Sequence, residues 1–288
     1  MPELPYGGAV ASIGDFEVVP IFDGYSREDP THFYTLHEGA PPRRGQRRED
    51  WDGYRQFLDG DGFLEHGLGG FLVRTGDHVV LIDTGVGPEQ IGPYGPYGRV
   101  IKGGELPARL SAAGARPEDV TDVVLTHLHP DHYGWATHDG ASLFPRATFR
   151  CHALDWGHFV VEPGDRLSGW SGQLVSLADR LECWDRDGPL LPGIDVRHAP
   201  GHTPGSTVLV LSSGEARGVL LGDVVHCPVE LVDAEWASLG DVDQVLAQRT
   251  REALAQEFEG SGVPMAGPHF AGMRFGRLMT GTGRRYWN

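Results

Sequence analysis

Three histidines and an aspartate fall within six positions of one short run, as His127, His129, Asp131 and His132. Neutral imidazole and carboxylate are the ligands that zinc and similar transition metals take. His127 and His129 stand at i and i+2, so in extended chain their side chains point the same way. Asp131 and His132 follow Pro130, where the chain turns and presents a second point. Four ligand-type residues are too many for one open catalytic metal and suit two adjacent ones. Two such cations make a shared water a hydroxide near neutral pH and polarise a carbonyl or phosphoryl oxygen. The chemistry this spacing predicts is hydrolysis.

More ligands must come from downstream. His202 sits in a Gly/Pro-rich turn, Asp223 closes the run Arg217–Asp223, and His269 follows a short apolar run. Each lies at the C-terminal end of an apolar run, as His127 does, so one edge of a layered sheet structure would collect them. Asp131 or Asp223 could carry the proton from the attacking water to the leaving group.

The elements that must position these residues are legible as short runs rich in Val, Ile, Leu and Phe, bounded by Gly, Pro, Asp or Ser. They predict strands at 16–22, 70–75, 78–83, 122–127, 147–151, 194–199, 206–212 and 217–223. Helices are expected at 105–113, 152–162 and 242–258. In the last, Val242, Val245, Leu246, Ala253 and Leu254 recur near a 3.6 period, with Arg and Glu opposite. Interleaved strands and helices make an α/β chain, with no linker-like break. Residues 24–69 and 85–104 read as long polar or Gly/Pro-rich loops, too irregular for helix or strand and suited to walling a site. Residues 163–172 read as a shorter one. Tyr94, Tyr97 and Trp51 are the aromatic candidates for such walls.

The 288 residues carry a net charge of −16, with 40 % hydrophobic and 9 % aromatic residues. That composition supports a sizeable core and disfavours nucleic acid or an anionic membrane as partner. The three cysteines, Cys151, Cys183 and Cys227, form no Cys-x-x-Cys pair and suit a reducing compartment. No signal-peptide pattern and no apolar run of about 18 residues is present. A soluble cytoplasmic protein with a small-molecule substrate is the expectation.

Together, the run His127-x-His129-x-Asp131-His132, His202 in its Pro-Gly-His-Thr-Pro-Gly turn, Gly222-Asp223 and a late His269 resemble the metallo-β-lactamase superfamily. The run Val79–Gly85 resembles that family's early Asp motif. The resemblance extends in order from about residue 70 to 270. It implies an αββα sandwich, two mixed β-sheets flanked by helices, here one domain over residues 1–288. By resemblance, His127, His129 and His202 hold a first metal, Asp131, His132 and His269 a second, and Asp223 bridges both. Asp83 is structural, tying the loop under the metals. Two divalent ions follow, zinc foremost, with manganese, iron or cobalt as alternatives, and a homodimer is common among such proteins.

The pattern is closest to the acyl-homoserine lactonase and methyl parathion hydrolase branch, which implies cleavage of a small-molecule ester or lactone. A phosphotriester or thioester hydrolase of the same fold, or a mononuclear iron sulfur dioxygenase, is the alternative. The lactonases use a tyrosine beside the carbonyl, whereas here no tyrosine lies between Tyr133 and Tyr286. Tyr133, directly after the motif, and His226, three residues after Asp223, are the candidates for that role. The remaining histidines, His66 among them, read as non-ligands.

Overall fold

The computed structural model describes residues 9–34, 44–94, 97–137, 140–162, 168–238 and 240–288. In chain order its strands begin with Ala11–Ile13 (β1), Phe16–Glu28 (β2), Leu64–Thr75 (β3), His78–Ile82 (β4), Ile91–Tyr94 (β5) and Arg99–Ile101 (β6). They continue with Asp122–Val124 (β7), Thr148–His152 (β8), Leu181–Trp184 (β9), Gly188–Leu191 (β10), Ile194–His198 (β11), Thr207–Ser213 (β12), Ala216–Leu220 (β13) and Met265–Ala266 (β14). A seven-stranded sheet has the order β1-β2-β3-β4-β7-β8-β9, antiparallel up to β4 and parallel beyond it. A five-stranded sheet runs β10 to β14 in sequence order, antiparallel except for β13 and β14.

Both faces of the large sheet are buried, which explains the unbroken apolar runs. Val18, Phe71, Val73, Val80, Ile82 and Val124 pack with Ile194, Leu209, Leu211 and Leu220 of the small sheet. Their neighbours Val19, Leu72, Leu81 and Val123 point the other way, onto Leu106 and Leu110 of the helix Leu106–Ala112. The small sheet's outer face is covered by Leu254, Ala255 and Phe258 of the helix Gln244–Phe258. The layers are the expected αββα sandwich.

Three expectations are corrected. Residues 24–69 are not one loop, because 24–28 continue β2 and 64–69 begin β3. The glycines that suggested a loop allow close packing within the sheet: a Cβ on Gly69 would lie 2.1 Å from the carbonyl oxygen of Ile21 on the paired strand. Residues 85–104 contain a hairpin, β5 paired with β6, despite their Gly/Pro content. Pairing of Ile91 with Ile101, both buried, gives it an apolar anchor. The third correction concerns the phase of helix 244–258. Val242, Val245 and Leu246 are exposed, while Ala247, Arg251, Leu254, Ala255 and Phe258 are buried. Arg251 can lie inside because a buried carboxylate receives it. Residues 163–167 of the shorter predicted loop lie outside the described residues, and Ser168–Arg180 form 3₁₀ turns.

β2 carries a register shift between Phe22 and Gly24, which turns Asp23 inward. Its carboxylate accepts from the backbone N–H of Val86, Gly87, Gly104 and Leu106 and from Trp135 Nε1, at 2.7–3.0 Å. One side chain thus fixes both ends of segment 85–104 and Trp135, three residues beyond the histidine motif.

Candidate metal centre

β7 stops at Val124, and its continuation carries His127 and His129 to the rim of the sandwich. His129 is the N-cap of a single helical turn, Pro130–Tyr133, with Pro130 at its start. That turn presents Asp131 and His132. A close approach holds it down: Gly134 donates to the Gly85 carbonyl at 2.8 Å, and a Cβ on Gly134 would lie 2.0 Å from Val86. His202 comes from the turn after β11, Asp223 from the turn after β13, and His269 follows β14.

Buried carboxylates brace these turns. Asp83, in a left-handed conformation (φ 61°), accepts from Thr126 N and Oγ1, both at 2.8 Å, and lies 3.0 Å from His132 Nδ1. This is the loop-tying role that the resemblance implied. Asp155 accepts from Leu128 N at 3.0 Å, Thr203 Oγ1 at 2.9 Å and Gly205 N at 2.5 Å, joining the His127–His129 loop to the His202 turn. Asp241 lies 3.2 Å from His202 Nδ1 and receives Arg251 Nη2 at 2.8 Å. The roles of Asp155, Asp241 and Arg251 have no motif in the sequence. The burial of Arg251 contradicts its local pattern, and only the fold reveals it.

The seven ligand-type side chains converge. His202 Nε2 lies 3.2 Å from His127 Nε2 and 2.9 Å from His129 Nδ1. Asp223 Oδ2 lies 3.1 Å from His269 Nε2, 3.2 Å from His132 Nε2, 3.5 Å from His202 Nε2 and 3.8 Å from His127 Nε2. Asp131 Oδ2 is 3.5 Å from His269 Nε2. Four groups among the described residues have ligand atoms close enough to share an ion: His127–His129–His202, His127–His132–Asp223, Asp131–His132–His269 and His202–His226–Asp241. His226 joins the cluster, with Nε2 3.4 Å from Asp223 Oδ2.

The proton inventory tests whether a cation fits. His132, His202 and His269 each direct Nδ1 at an acceptor, namely Asp83, Asp241 and the Gly67 carbonyl. A neutral ring that donates from Nδ1 keeps a lone pair on Nε2. These lone pairs face one another and the oxygens of Asp223 and Asp131. Among the described residues, His132 Nε2 and Asp223 Oδ1 are buried without a hydrogen-bond partner. Converging lone pairs and buried carboxylate repel unless cations lie among them, so the donor set fits divalent metal.

Electrostatics agree. Burial holds His127 and His129 well below the usual histidine range, which keeps them neutral. Burial would depress His132 as well, but Asp223, Asp83 and Asp131 outweigh it and push it well above that range. Without a metal, a proton there supplies the positive charge the carboxylates require. Burial would raise Asp223, but His132, His269 and His226 outweigh it and hold it well below the carboxylate range. Burial would depress His226, but Asp223 and Glu230 push it up to about 10.

The aromatic candidates separate. Tyr133 is buried in the core against the large sheet. Trp51 is buried in an aromatic cluster with Phe33, Tyr34 and Trp236, beside Cys227. Tyr97 is 52 % exposed and stacks on His32 at 3.8 Å. The side chain of Tyr94 lies outside the described residues. His66, read from sequence as a non-ligand, is buried with its ring centroid 5.8 Å from that of His269. Cys151, Cys183 and Cys227 are free thiols. No described helix is long and apolar enough to cross a membrane.

Comparison with known proteins agrees with this geometry. A family model described as the metallo-beta-lactamase superfamily matches residues 70–260. The chain is 30 % identical over 269 residues to human metallo-beta-lactamase domain-containing protein 1, covering 90 % of this chain and 83 % of that protein. It is 38 % identical over 179 residues to N-acyl homoserine lactonase AiiB of Agrobacterium fabrum, covering 52 % of this chain. That match and one to a Bacillus lactonase each span 60 % of the relative's length. Among solved structures, AidC, a dizinc quorum-quenching lactonase, superposes with a TM-score of 0.79 at 22 % identity, covering 97 % of this chain and 96 % of that one. The hydrolase AbOPH superposes with a TM-score of 0.76 at 26 % identity, covering 96 % and 95 %.

Proposed function

The chain belongs to the metallo-β-lactamase superfamily, and from that premise we propose that it is a dinuclear metal-dependent hydrolase of a small-molecule ester or lactone. The observation that carries the reading is the second ligand group. Asp131, His132 and His269 stand beside His127, His129 and His202, with Asp223 reaching both. A mononuclear centre, as in a sulfur dioxygenase, would have no use for His269 and Asp131.

His127, His129 and His202 would hold one ion, Asp131, His132 and His269 the other, and Asp223 both. Zinc is the first expectation. When bound, the pair supplies an acidified water and polarises the substrate carbonyl. Asp131 is the carboxylate best placed to hold and pass on a proton, because it is half-buried while Asp223 is enclosed. His226 takes the place beside the carbonyl that a tyrosine fills in lactonases. Tyr133, enclosed in the core, is the weaker candidate for it. Similarity to lactonases supports the ester or lactone class, and the same centre would serve a phosphotriester or thioester.

The test is metal content after zinc reconstitution, followed by a panel of lactones, aryl esters, thioesters and phosphotriesters. Two ions per chain and turnover of esters or lactones are expected. One ion per chain, or turnover confined to another class, would sink the reading.

A further inference from the structure

A chamber of about 370 Å³ opens between segments 56–66, 226–228 and 269–275. Phe57, Leu58, Phe275 and Trp287 wall it, and His66, His226 and His269 also line it. His226 and His269 belong to the metal cluster, so the chamber reaches the reacting centre. It lies apart from segment 85–104, which the sequence favours as a wall.

His66 is the unexplained group. It is 1 % exposed, and neither ring nitrogen has a hydrogen-bond partner. The Glu28 carboxylate is 3.7 Å from Nδ1, beyond hydrogen-bond reach, and is ion-paired with Arg99. A buried imidazole without partners carries an uncompensated desolvation penalty, and a ligand or water that meets it removes that penalty.

We propose that this chamber is a substrate subsite for an uncharged aromatic group bearing one oxygen, with the ring against the apolar wall and the oxygen bonded to His66. The inference rests on the ester or lactone reading and narrows its substrate class. The wall is aromatic and aliphatic, which favours a ring. The volume equals roughly a dozen waters at about 30 Å³ each, which is ample for one ring with an arm. Charge is disfavoured because the charged groups in the lining are already engaged: Asp59 with Arg27, Glu65 with the Tyr25 hydroxyl, and Arg274 in a contact of its own.

Benzyl alcohol, a ring with one neutral oxygen, is the probe. Its binding to the metal-loaded protein, followed by calorimetry, is expected to weaken at least tenfold in Leu58→Trp, which narrows the chamber at its apolar wall, and in His66→Phe, which removes the polar partner. The kcat/KM ratio of benzyl acetate to methyl acetate is expected to fall at least tenfold in Leu58→Trp. No binding by the wild type, or binding and ratio unchanged in Leu58→Trp, overturns the proposal. Should His66→Phe fail to fold, Leu58→Trp decides alone, because Leu58 is half-buried in a loop. If the wild type hydrolyses neither ester nor lactone, the hydrolase reading falls, while probe binding still decides the chamber.

Discussion

At the metal cluster, His132, His202 and His269 each commit Nδ1 to a fixed acceptor. On the adjoining chamber surface, neither ring nitrogen of His66 nor Nδ1 of His226 has a hydrogen-bond partner, with Glu28 at 3.7 Å from the first ring and Glu230 at 3.6 Å from the second. The contrast separates two uses of one residue type. A ring locked by its far nitrogen offers a defined lone pair to a permanent guest, the geometry a metal requires. A buried ring without that lock is satisfied only by a transient guest.

The locked half fails most visibly at Asp131. On the proposed assignment Asp131→Asn would remove a ligand and a proton carrier together, so turnover on the best ester is expected to fall about a thousandfold or more. Circular dichroism should show the fold intact. Near-wild-type turnover would remove Asp131 from the mechanism. Next in size is Arg251→Met, which leaves the buried Asp241 charge unpaired behind His202. It is expected to lower unfolding free energy by about 3–5 kcal/mol and to weaken zinc binding by about 10–100-fold. Denaturant unfolding and competition with a chelator measure the two separately. Unchanged zinc affinity would mean that Asp241 does not act through His202.

The unlocked half is probed by His226→Phe, which keeps the ring's bulk and removes its donor. A loss of about a hundredfold in kcat on acyl-homoserine lactones is expected, with little change in KM. Aryl esters, with better leaving groups, should lose less and be the better substrates of the wild type. Equal loss on both classes would make His226 a packing residue. The smallest effect concerns Glu28, behind His66. Burial would raise its pKa, but His66 and the Arg99 ion pair outweigh this and lower it to about 2. A depressed carboxylate stabilises the fold above its unfolded pKa of about 4.5 and loses that contribution as pH falls toward 2. At about 1.4 kcal/mol per unit, on the order of 2–3 kcal/mol should disappear across that window. In Glu28→Gln, unfolding titrations between pH 5 and 2 should show a correspondingly shallower loss, and an unchanged slope would reassign the acid sensitivity.

The ligand-type residues that converge were readable because each type is named by its chemistry and because His127, His202, Asp223 and His269 each end an apolar run. The strands holding them were readable for the same reason, since both faces of the large sheet are buried. Arg251 was not, because a charged residue enters a core only when a distant partner, here Asp241, meets it. Trp135 was equally opaque: its indole faces Asp23, which reaches inward only through a register shift in β2. The Gly/Pro-rich segment 85–104 was misread for the same reason, since that carboxylate pins it. His66 carried no motif, and its role depends on a cavity built from three separate segments.

Asp155 bonds the chain at Leu128 and again at Thr203 and Gly205. His127 and His129 follow a strand of the large sheet, and His202 follows a strand of the small one. Their three nitrogens meet only after the two sheets have stacked, and contacts so distant in sequence close late in assembly. Binding of a metal by all three is therefore expected to be a finishing step. The nascent chain gains no early nucleus from the ion, and the rate of uptake during refolding reports on the docking of the two halves.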